Sequence, residues 1–115
     1  MLKMSTPTPQ PNRRGSIRKK PKGKVQIECR KGVTGLGTNL ALMIWDISQT
    51  GACLVAQSGL DVHDEVELLI SSIGSPRKIK IHATVVWLEP LDPQRVSMGV
   101  RFHKPLTYLD MQQFT

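Results

Sequence analysis

Residues 77–102 read RKIKIHATVVWLEPLDPQRVSMGVRF, and this stretch decides the fold. In its first part Ile79, Ile81, Ala83, Val85 and Trp87 alternate with Lys78, Lys80, His82 and Thr84, the period of a strand with one buried face, predicted over residues 77–88. Val96, Met98, Val100 and Phe102 repeat the pattern in a final strand, and Pro90 and Pro93 bracket the turn between the two. The same parity assigns Trp87 and Phe102 to the core.

Working outward, residues 64–70 alternate Val66, Leu68 and Ile70 against Glu65, Glu67 and Leu69, and Gly74, Ser75 and Pro76 form the turn that follows. Val25, Ile27 and Cys29 alternate with Gln26, Glu28 and Arg30 in a first strand. Gly32, Gly35 and Gly37 then mark a flexible turn before a second strand over residues 40–47. Gly51 opens a third, ACLVA. After Pro105, Thr107 is a helix start signal and Leu106 and Leu109 have helical spacing, so a short helix closes the chain. Six short strands with Gly and Pro turns predict an all-β fold, a six-stranded antiparallel barrel with a short C-terminal helix.

The length of 115 residues suits one compact domain. The net charge of +7 is unevenly spread. Residues 1–27 hold eight cations and no acid, whereas residues 28–115 hold eight basic and nine acidic side chains. The anion-seeking part is therefore a local N-terminal arm on a near-neutral body. Residues 1–12, with Pro7, Pro9 and Pro11 among polar residues, are expected to be a disordered tail. Residues 13–24, RRGSIRKKPKGK, are expected to be a mobile basic arm, and the domain to run over 13–115.

Cys29 and Cys53 sit in apolar stretches without CxxC spacing, so both are expected to be small buried hydrophobes. Residues 1–11 lack the apolar core of a secretory signal, and no apolar run approaches the roughly 18 residues that span a bilayer. The expected compartment is the cytoplasm, with both thiols reduced.

Catalytic arrangements fail in turn, and the expectation is a binding protein and not an enzyme. His63, His82 and His103 are scattered, without HExxH or a nucleophile elbow, and no metal site is expected. The glycines at 32, 35 and 37 are followed by no GK[ST], so they form a hairpin loop and not a phosphate loop. Asp61, Asp64, Glu65 and Glu67 lack calcium-loop spacing and read as a solvated strand edge.

Two constellations remain. Arg14 to Arg18 is an RxxxR directly preceded by Arg13, and Asp46 to Gly51, DISQTG, is a DxSxxG at a strand-to-strand turn. A guanidinium can fork onto phosphate oxygens or the O6 and N7 edge of guanine, or lie flat on a base. A carboxylate such as Asp46 accepts from guanine N–H donors, and Ser48 adds a hydroxyl hydrogen bond or braces the turn. Gly51, without a Cβ, can take φ > 0 or admit close approach of backbone and ligand.

The order of these motifs, basic arm and then turn after strand two, resembles the PilZ family, and GVRF at residues 99–102 is similar to that family's closing strand. The resemblance covers residues 13–110. It implies a split barrel that binds the bacterial second messenger cyclic di-GMP between the arm and the turn, with no other cofactor. Arg14, Arg18, Asp46, Ser48 and Gly51 would be the ligand-binding residues, and Arg13 before the motif implies a stacked pair of ligand molecules. Occupancy would be signalled to a separate partner protein. Two alternatives stand beside this reading: a basic-armed barrel that holds single-stranded nucleic acid, against which the near-neutral body shows no row of exposed aromatics, and a ligand-free adaptor.

Overall fold

The computed structural model describes residues 25–74 and 77–114. Arg13, Arg14 and Arg18, like the whole 1–24 segment, lie outside them. The elements are β1 (Val25–Lys31), β2 (Ala41–Ile47), β3 (Gly51–Gln57), β4 (Glu65–Ser72), β5 (Lys78–Asp92), β6 (Arg95–Phe102) and α1 (Tyr108–Phe114).

All six strands form one antiparallel sheet in the order β1-β4-β5-β6-β3-β2, curled into a nearly closed barrel. The predicted period delivers the lining: Ile27 and Cys29, Val66, Leu68 and Ile70, Ile81, Ala83 and Val85, and Val96, Met98, Val100 and Phe102 all point inward. Helix α1 plugs one end with Met111 and Phe114. Thr107 Oγ1 accepts from the Asp110 amide at 3.1 Å, an N-cap that fixes where the helix begins.

β1 and β2 are the two ends of the sheet, and the seam between them is held at one point. Asn39 Oδ1 accepts from the amides of both Cys29 and Ala41, at 2.9 and 3.0 Å, and the Leu40 amide donates to the Cys29 carbonyl at 2.7 Å. A side chain thus does the pairing that a ladder would do. Past it the strands part over a groove of about 490 Å³ lined by Val25, Ile27, Met43 and Ile44 among others.

Three sequence expectations are corrected. Strand β5 continues through Pro90 to Asp92, so the turn is the pair Pro93 and Gln94 alone, and Pro90 stands beside a register shift where a missing N–H is tolerated. Trp87 is not in the core: a second shift between Val85 and Trp87 inserts Val86 as an extra residue and turns the indole to the outside. Cys53, expected to be buried, is half-buried on the outer face, whereas Cys29 is fully enclosed.

Candidate functional site

The DxSxxG segment joins β2 to β3. Ser48 is buried, and its Oγ accepts from the amides of Thr50 and Gly51 at 3.3 and 3.2 Å, while the Ser48 amide donates to the Gly51 carbonyl at 2.8 Å. Of the two roles open to Ser48, the structure displays the brace. Gly51 does not have positive φ; a Cβ there would collide with the Val100 carbonyl oxygen on β6. The close approach it permits is therefore between two strands of the barrel wall.

Asp46 is placed differently. A bulge between Ile44 and Asp46 makes Trp45 the extra residue, so Asp46 faces outward in register with Cys53. Cys53 is in register with Gly99, and Gly99 with Trp87. Asp46, Cys53, Gly99 and Trp87 thus form one row across four strands, spanning about 14 Å at the usual strand spacing. The indole lies back over Gly99, where any Cβ would collide with its Nε1 and sit 2.5 Å from Cε2. In the next row, Gly51 is in register with the exposed Arg101, and Arg101 with Thr84. Trp45, 51% exposed, adds a second indole beside Asp46.

This face offers a carboxylate, two indoles and a guanidinium on a rigid sheet. Sequence reasoning missed Trp87, Trp45 and Arg101. The signal that could have found Trp87 is the pair Val85 and Val86, which breaks strict alternation just before it. The two bulges set Trp45 exposed and Trp87 half-buried on the outer face. The groove between β1 and β2 is lined by Val25, the first residue after the basic segment, together with Met43 and Ile44. Burial pushes the Cys29 thiol up to about 12, which marks it as a core group and not a reactive one.

Among the described residues no three His, Cys, Asp or Glu side chains are grouped to hold a metal ion, and no helix is long and apolar enough to cross a membrane.

Comparison with curated proteins finds no match. In structure the chain is similar to the Bacillus subtilis inhibitor of motility (MotI/DgrA), a PilZ-domain protein, with a TM-score of 0.59 at 17% sequence identity. The match covers 87% of this chain and 46% of that one, so the chain spans about half the length of that protein, and the likeness is one of fold. The family profile described as PilZ domain matches residues 12–114. A profile that runs over both motifs, on a six-stranded barrel with a short closing helix, leads to one conclusion: the chain belongs to the PilZ domain family.

Proposed function

We propose that this chain is a cyclic di-GMP receptor that closes its basic segment, residues 13–24, over the outer face at Asp46 and signals to a separate protein partner. PilZ domains are binding and adaptor domains, not enzymes. The observation that carries the reading is the placement of Asp46 on an outward row with Trp87, two residues along β2 from Ile44, which lines the same groove as Val25. Arg18 is seven residues upstream of Val25 and Arg14 eleven. At about 3.3–3.6 Å per extended residue, the tether allows Arg18 to reach up to about 25 Å from Val25.

In this reading Asp46 accepts from a guanine base, Arg14 and Arg18 fork onto phosphate or a guanine edge, and the Trp87 indole offers an apolar wall for a base. Ser48 and Gly51 act through the turn, holding Asp46 in place. Arg13 supports a stacked ligand pair by adding a third guanidinium. Ordering about ten residues costs on the order of 10 kcal/mol, which several charge-assisted bonds of about 1.5–3 kcal/mol each offset. The domain works as one unit from residue 13 onward, with residues 1–12 as a tail outside the clasp and the cytoplasm as the site of action.

Calorimetric titration of the full chain with cyclic di-GMP, with GTP and cyclic di-AMP as controls, tests the reading. Binding of cyclic di-GMP alone is expected. Arg18→Ala should abolish it while leaving the melting temperature of the free protein unchanged; a large loss of stability would give Arg18 a structural role instead. The exposed Trp45 and the half-buried Trp87 on the outer face favour single-stranded nucleic acid as the second reading. Gel shifts across a salt series separate the two, since non-specific strand binding weakens steeply with salt and shows little preference for guanine.

A further inference from the structure

Half of the eight cations among the described residues are paired with a carboxylate in place. Arg30 pairs with Glu28, Lys31 with Asp64 at 3.6 Å, Arg77 with Asp110 at 2.7 Å and Arg95 with Asp92 at 2.7 Å. Among the described residues, four basic side chains have no carboxylate within ion-pair distance: Lys78, Lys80, Arg101 and Lys104. They are not scattered. Lys78 and Lys80 project from the outer face of the first half of β5, Arg101 from the adjoining face of β6, and Lys104 follows two residues beyond β6. His82 and His103 lie between them, with the His103 amide donating to the His82 carbonyl at 2.8 Å.

Of these, Lys80, His82, His103 and Lys104 line a cleft of about 260 Å³ between β5 and the 103–106 segment. Lys80, His82, His103, Lys104 and Asp110 are its polar lining, and Ile79, Ile81, Pro105 and Leu106 its apolar lining. Asp110 in the cleft wall is paired with Arg77 at 2.7 Å, and Glu67, outside the lining, is hydrogen-bonded with His82 Nε2 at 3.1 Å. Lys80 and Lys104 therefore place two ammonium groups without carboxylate partners at the edge of a partly apolar slot whose own carboxylate, Asp110, is paired with Arg77.

We propose that this cleft docks an acidic segment of a partner protein, one that carries an aliphatic side chain between its carboxylates. The volume lies below the roughly 300–1,000 Å³ of small-molecule sites, so the slot suits a side-chain anchor better than a whole metabolite. An apolar lining gives nothing to a bare phosphate, and no Trp, Tyr or Phe lines the cleft to stack a nucleobase. Lysine ammonium groups at the rim steer and orient an acidic strand without demanding fork geometry. The inference stands independently of cyclic di-GMP binding, which concerns the face at Asp46.

The test is a titration of the isotope-labelled full chain, without nucleotide, with the acetylated amide peptide Glu-Glu-Leu-Glu-Glu at low salt, followed by amide chemical shifts. Shifts centred on residues 79–82 and 103–106 are expected. The double substitution Lys80→Glu with Lys104→Glu should weaken binding by roughly tenfold or more, and the milder Lys80→Gln with Lys104→Gln should act in the same direction. Lys19→Glu with Lys20→Glu should leave those shifts in place. Shifts confined to residues 13–24, equal binding of a peptide with Gly in place of Leu, or cleft shifts produced by inorganic phosphate or an oligothymidine but not by the peptide would each overturn the proposal.

Discussion

Gln49 and Leu106 are bonded to each other twice: the Leu106 amide donates to the Gln49 carbonyl at 2.8 Å, and Gln49 Nε2 donates to the Leu106 carbonyl at 3.2 Å. Gln49 lies inside the turn that carries Ser48 and Gly51, and Leu106 is the buried residue that leads into α1. The Phe102 amide donates to the Thr50 carbonyl at 2.8 Å, so the turn is tied to the end of β6 as well. A change at the turn has a direct covalent and hydrogen-bonded route to the helix.

Gln49→Ala removes the side-chain bond and keeps the backbone one. A loss of about 0.5–1.5 kcal/mol in urea unfolding is expected. In the unaltered chain, cyclic di-GMP should shift amides as far as residues 106–111, and in Gln49→Ala those distal shifts should shrink. Equal distal shifts in both proteins would show that the turn does not drive the helix.

Gly51→Ala probes whether the last motif position serves the ligand or the barrel. The new methyl would meet the Val100 carbonyl oxygen, a backbone atom fixed in the β3–β6 ladder. Overpacking of this kind costs about 1–3 kcal/mol. A fall in melting temperature without ligand is therefore expected; unchanged stability with lost binding would reassign Gly51 to direct ligand contact.

The barrel was legible because strand burial has a period of two, and six segments kept it long enough to read. What was lost lies at the bulges. One extra residue at Val86 reverses parity, so Trp87 leaves the row that Ile79 to Val85 define, and an extra residue at Trp45 sets Asp46 outward. A bulge is a property of the pairing between strands, and a single strand's sequence carries little of it. Spacing singled out Asp46, Ser48 and Gly51, yet it could not divide them into an outward carboxylate, a serine that braces the turn and a glycine packed against β6. Pro90 misled for a related reason: proline argues against a strand interior unless a bulge relieves it.

Gly99→Ala should displace the Trp87 indole, since the added methyl would occupy the place of its Nε1. In a Trp45→Phe background, the remaining fluorescence should shift to the red as the ring moves into water. Trp87→Ala should weaken cyclic di-GMP binding by roughly 0.5–1.5 kcal/mol if the ring serves as a wall for a base. Unchanged affinity in Trp87→Ala would confine the role of the ring to covering Gly99.

The two thiols should behave oppositely. Cys53 is half-buried beside Asp46, and Cys29 is enclosed with its thiol pushed up to about 12 from 9.0. Iodoacetamide at mildly alkaline pH should label Cys53 alone in the folded protein, and saturating cyclic di-GMP should slow that labelling because Cys53 lies in the row between Asp46 and Gly99. The alkaline limb has a definite sign. The unfolded chain releases the Cys29 proton near 9.0 and the folded chain holds it to about 12, so this contribution to stability is intact below 9.0 and falls as pH rises between the two values. The slope is at most about 1.4 kcal/mol per pH unit. Unfolding free energy measured across that window should decline in the unaltered chain and flatten in Cys29→Ala; a decline of equal slope in both would place the alkaline sensitivity in another group.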